Sequence, residues 1–121
     1  MANLTYYLKL VEKAGNNNYE LQVSKDNTTF TKVTATNPSD TVTPGDVIEW
    51  IADSATIRKI QIIPDNQKIL KRITQKSDDD VEADTTGAPW DSTESYVIKA
   101  QPKNGGGLKE WDPEVKTPPQ S

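Results

Sequence analysis

Three consecutive glycines, Gly105-Gly106-Gly107, are the first residues in this chain to invite a chemical reading. A glycine-rich turn can cradle phosphate, but a phosphate loop needs G-x-x-x-x-G-K-[ST] between a strand and a helix. Here Leu108, Lys109, Glu110 and Trp111 follow, and Pro113 blocks a helix. The run DDDVEAD, from Asp78 to Asp84, offers the oxygen ligands that calcium takes, without the D-x-[DN]-x-[DN]-G spacing of a calcium loop. The pairs Glu110/Asp112 and Asp91/Glu94 supply carboxylates, yet nothing in their spacing points to the cleft a glycosidase requires. Three tryptophans remain as possible anchors. Trp50 lies in register with Ile48 and is expected in the core, whereas Trp90 and Trp111 adjoin loops and are candidates for a surface contact.

The chain has no cysteine and no histidine. That removes disulfides, thiolate chemistry, Cys/His zinc sites and imidazole bases together. It leaves carboxylates, lysine, tyrosine and serine as the available reactive groups. With 14 basic residues scattered among 18 acidic ones and a net charge of -4, the chain lacks the basic stripe of a phosphate-backbone binder, so no nucleic-acid partner is expected. No apolar run reaches the length of a membrane helix, so no membrane insertion is expected. The first residues lack the h-region of a signal peptide, which implies a cytoplasmic chain or a mature exported form.

The elements that must carry these residues read as strands. At 121 residues the length suits one domain, and a hydrophobic fraction of 33% suits thin sheets with one wet face. Tyr6, Leu8 and Leu10 share one face of LTYYLKLV. Tyr19, Leu21 and Val23 alternate with polar partners, KDNT turns the chain, and TTFTKVT returns as a hairpin strand. Pro44-Gly45 predicts a type II turn ahead of VIEWIA, and IRKIQII is β-branched. Ile69, Leu70 and Ile73 have the spacing of a short helix, and the acidic run reads as an exposed loop. ESYVIKA alternates again, with Tyr96, Ile98 and Ala100 inward, and WDPEVKTPPQS reads as a last strand ended by prolines.

Two of these stretches resemble a known family. YVIK runs into AQPKNGGGL, residues 96 to 108, in the register of the copper loop of plastocyanin-like cupredoxins. VTPGDVIEW is similar to the V-x-x-G-D-x-V-x-W strand of the same family. The resemblance implies a cupredoxin-like fold. It aligns Ala100 with the copper cysteine, Lys103 with a ligand histidine, Leu108 with the axial methionine, and Arg58 with the neighbourhood of the first histidine. Alanine, lysine and leucine cannot donate the imidazole and thiolate that blue copper needs, so no copper and no other cofactor is expected.

The sequence thus predicts an all-β, Greek-key β-sandwich of seven or eight strands, a single domain over residues 1–121. An acidic loop insert at about residues 75–92 and a proline-rich C-terminal tail over 112–121 complete it. The expected role is that of a non-enzymatic, metal-free interaction or structural module, a subunit of a larger assembly that binds a protein partner or itself. The expected contact is built from Gly105, Gly106, Gly107, Leu108, Trp111 and Trp90. The alternative is a carbohydrate- or calcium-binding module using the 78–111 loops.

Overall fold

A computed structural model of the chain describes residues 2–13 and 18–120. It is all-β, with eleven strands and no helix among the described residues. The strands are β1 Asn3–Glu12, β2 Tyr19–Ser24, β3 Thr31–Lys32, β4 Ser39–Thr41, β5 Val47–Ala52, β6 Ile57–Pro64, β7 Arg72–Ser77, β8 Asp80–Asp84, β9 Thr93–Pro102, β10 Lys109–Trp111 and β11 Glu114–Lys116. A six-stranded sheet runs β3-β2-β1-β5-β8-β7. In the second sheet β9 has β6 along one edge and β10 and β11 along the other, with β4 beyond β11. Both sheets are mixed, since β1 lies parallel to β5 and β11 parallel to β4.

Alternation in the sequence becomes burial in the fold, because successive side chains leave a strand on opposite faces. Tyr6, Leu8 and Leu10 of β1, Ile48 and Trp50 of β5, and Val81 and Ala83 of β8 are buried. They meet Ile60 and Ile62 of β6, and Tyr96, Ile98 and Ala100 of β9, in one core cluster between the sheets. An aromatic row crosses it: the Trp50 ring lies 6.2 Å from Tyr6 and 5.4 Å, edge-on, from Tyr96. The turn at Pro44-Gly45 closes with Asp46 N–H donating to Thr43 O at 2.9 Å, and Gly45 takes the φ of +103° that a type II turn requires.

Several local expectations give way. Ile69 and Leu70 do not begin a helix: both are fully buried in the crossover from β6 to β7, while Ile73 lies in β7. Helical spacing in a short apolar segment is equally compatible with such a crossover. The acidic run is not a loop but the turn and second strand of the β7–β8 hairpin, because Val81 and Ala83 alternate with the acids and seat β8 against β5. The proline-rich stretch from 112, by contrast, carries the last strand that the sequence predicts. Pro113 separates β10 from β11, and β11 is held between β9 and β4. Beyond it, Thr117 is buried and Pro118 O accepts from Asp91 N–H at 2.8 Å. The extra strands are two or three residues long, too short to show a period.

Candidate functional site

Arg58, Ala100, Lys103 and Leu108 all lie towards one end of the β6–β9 ladder. Ile57 pairs with Pro102 and Lys59 with Gln101, with a bulge at Arg58 between them. Lys103 N–H donates to Thr56 O at 3.0 Å, and Lys109, directly after Leu108, pairs with Ala100. The side chains there are of two kinds. Ala100 is fully buried, whereas Arg58 and Lys103 are exposed and Leu108 is 41% exposed. The loop between them is a formed turn. Gly105 N–H donates to Pro102 O, and Gln101 Nε2 donates to Gly106 O at 2.9 Å. Gly105 and Gly106 take φ values of +112° and +96°, which disfavour any residue with a Cβ.

The remaining expected contact residues do not join this group. Trp90 is 39% exposed but precedes β9, at the far end of a ten-residue strand from the glycine loop. That separates them by roughly 30 Å. Trp111 pairs with buried Ile98 and packs against the core, so it belongs to the inner face. Glu94 is buried and its carboxylate is fully engaged. It accepts from the N–H groups of Asn66, Ile69 and Leu70 at 3.0, 2.7 and 2.9 Å. Glu110 faces outward, with Lys99 3.7 Å away. Among the described residues no three acidic side chains are gathered to hold a cation. Nor does any helix among them reach the length and apolarity needed to cross a membrane.

A second region was not visible in the sequence. Where β2 and β3 face β4 across the edge of the sandwich, a cavity of about 500 Å³ opens to solvent. Its floor includes Val23, Pro38 and the edge of Tyr6. Asp40, on edge strand β4, pairs with buried Val115 and therefore points inward. There it accepts from the Tyr6 hydroxyl at 2.5 Å through Oδ2 and from Lys25 Nζ at 2.9 Å through Oδ1. Burial, foremost, raises the Tyr6 phenol far above its ordinary range, so it stays a donor. On the rim, the Thr29 amide, the Ser24 hydroxyl and the Thr28 amide hold the Asp26 carboxyl down at about 2. All three donate to Oδ1. Asn37 braces the opposite wall, donating to Thr31 Oγ1 and Lys32 O.

No family model matches the chain, and no curated protein matches it.

The cleft was not legible because its lining, Tyr6 together with residues between Val23 and Asp40, carries no motif. One signal was available: an aspartate at 40 in a segment of strand character, where an inward charge needs a partner. The glycine loop was legible because Gly105, Gly106 and Gly107 are contiguous in the sequence.

Proposed function

We propose that the chain is a non-enzymatic, metal-free interaction module on a cupredoxin-like Greek-key scaffold, one that docks on a protein partner through its glycine-loop end. The observation that carries the reading is the composition of that end. The positions that the resemblance aligns with ligands lie towards that end and carry arginine, alanine, lysine and leucine, none able to supply imidazole or thiolate. Instead, a hydrogen-bonded turn leads into an exposed Leu108, with the exposed Lys103 at the start of the same turn. An apolar side chain held on a preformed turn loses little entropy on docking. VTPGDVIEW supplies the turn and β5 in one sheet, and YVIKAQP lies in β9 of the other, which supports the cupredoxin-like reading. The 78–111 loops support a calcium site less well, since Asp80, Glu82 and Asp84 are strand residues on β8.

Leu108→Asp tests the docking. The wild-type chain and the variant are compared by light scattering and by cross-linked co-purification from source extract, with melting curves alongside. Self-association or a stoichiometric partner, present in the wild type and lost in a variant that melts normally, is the expected result. An unaffected complex, or a monomer with no partner in either form, counts against it. An intense blue band on adding Cu(II), or one tightly held copper per chain, would overturn the metal-free reading.

A further inference from the structure

We propose that the cleft between β2 and β4 is a binding site for a neutral polyhydroxylated ligand, a sugar or a glycan unit. Its volume of about 500 Å³ falls within the range of small-ligand pockets. Of the residues that line it, Tyr6, Ser24, Thr29, Thr31, Thr36 and Ser39 carry hydroxyls. Tyr6, Ser24 and Ser39 already donate to Asp40, Asp26 and Glu114 and so offer acceptor lone pairs, while the Thr29 and Thr36 hydroxyls make no bond among the described residues; such a wall suits other hydroxyls better than one strong charge. Its three charged lining residues are Lys25, Asp26 and Asp40, one positive and two negative. That balance disfavours phosphates and carboxylates.

The polar groups are fixed and only partly used. Asp26 is held ionised by donors to Oδ1, and its Oδ2 has no partner among the described residues. The Lys25 ammonium contacts Asp40 alone, leaving donors to spare on a side chain 60% exposed. An acceptor and a donor so placed match the two faculties of a sugar hydroxyl, which donates and accepts. Val23 and the Pro38 ring offer an apolar floor for the C–H face of a pyranose. A peptide fits less well. Strand addition needs an unpaired edge of several residues, and the bordering strands β3 and β4 have two and three.

The test is an amide-resolved NMR titration of the full chain. The probes are glucose, galactose, mannose, N-acetylglucosamine, maltose and cellobiose, each taken to tens of millimolar, followed by a neutral glycan array. The expected result is saturable binding of at least one probe, with shifts concentrated between residues 23 and 40. Lys25→Ala and Asp26→Ser should each weaken it about tenfold, the effect of losing one charge-assisted hydrogen bond. Lys25→Ala should melt normally, and Asp26→Ser, which also loses the acceptor of the Ser24 hydroxyl and the Thr28 and Thr29 amides, is read only where its amide spectrum shows the fold retained. Lys99→Ala, on the outer face of the other sheet, should leave it unchanged. Three outcomes would overturn the proposal: no saturable binding to any neutral glycan, affinity unchanged in both cleft variants, or a preference for sulfated glycans or peptides. Because Leu108 lies outside the cleft, failure of the docking test would leave this result standing, and the reverse holds too.

Discussion

The two long sides of the sandwich are closed in different ways. On one side the gap between the sheets is stitched. Ile60 N–H of β6 donates to Asp78 O in the β7–β8 turn at 2.8 Å, and Gln75 Nε2 returns a bond to Ile60 O at 2.9 Å. The crossover from β6 to β7 fills the same side with Ile69 and Leu70, whose amides end on the buried Glu94 carboxylate. On the other side, among the described residues, β4 is reached by side chains: Tyr6 of β1 and Lys25, just beyond β2, meet at Asp40. A carboxylate that points inward from an edge strand prevents apolar filling there. One side therefore serves the stability of the fold, and the other keeps a polar concavity open at small cost.

The largest effect should come from the stitched side. Glu94→Ala removes the acceptor of three amides, two of which belong to fully buried residues. Each unpaired buried donor costs about 1–3 kcal/mol, so the expected loss is about 3–5 kcal/mol in denaturant melts. Hydrogen exchange at Ile69 and Leu70 should accelerate with it. Glu94→Gln, which retains one acceptor oxygen, should fall between the two. A loss under about 1 kcal/mol for Glu94→Ala would mean that the crossover is held by packing alone.

Tyr6→Phe probes the open side. It removes one hydrogen bond but leaves Asp40 paired with Lys25 and within reach of water, so the expected cost is about 1–2 kcal/mol. If Tyr6→Phe cost as much as Glu94→Ala, the contrast between the sides would collapse.

How much of this contrast was legible in the sequence follows from its physical origin. Period-2 alternation marked Tyr6, Leu8, Leu10, Ile48, Trp50, Tyr96 and Ile98 as inward, and all are buried. The Pro44-Gly45 turn was readable because its φ demand restricts the residue type. Sheet membership was not readable. The parallel pairings of β1 with β5 and of β11 with β4 join segments far apart in sequence, and strands of two or three residues carry no period. The acidic residues of β8 misled because on a half-wet strand they occupy the wet face, and without the partner strand they resemble a loop. The cleft sets β4, held by one of those pairings, against residues that follow β2, and its lining carries no motif, whereas the glycine loop is contiguous in sequence.

The outer skin near the stitched side carries a pH-dependent term. Glu49 on β5 and Asp80 on β8 are diagonal neighbours on the outer face, with Lys76 3.3 Å from Glu49 and 3.5 Å from Glu82. The hydrogen bond shared with Glu49, together with burial, raises the Asp80 carboxyl from 3.8 to about 6, while Glu49 is lowered. Between those two values the folded chain binds a proton that the unfolded chain has released, so this contribution is full below 3.8 and fades as pH rises through about 6. Urea midpoints of Asp80→Asn minus wild type should therefore grow more favourable to the variant from pH 4 to pH 7, by an amount that solvent at this half-buried pair keeps modest. A difference that is flat across that window would show that the two carboxylates titrate independently.

The smallest stability effect should come from Lys25→Ala, and it sharpens the comparison most. The Lys25 side chain is 60% exposed and its partner Asp40 26% exposed. Pairs of this kind contribute about 0–1 kcal/mol, and high salt screens what remains. Asp40 keeps its bond from the Tyr6 hydroxyl in the variant, so no buried charge is stranded. Thermal and urea melts should shift by less than about 1 kcal/mol, and the shift should vanish near 1 M salt. The same substitution is expected to weaken glycan binding about tenfold, since an ammonium facing a ligand in a cleft is less screened than one facing bulk water. A stitch and a recognition group differ in this respect: removing a stitch lowers stability, and removing a recognition group lowers affinity alone. If Lys25→Ala melts early and binds normally, the open side is a weaker copy of the stitched one. If it melts normally and binds poorly, the gap between β2 and β4 is kept open for a ligand.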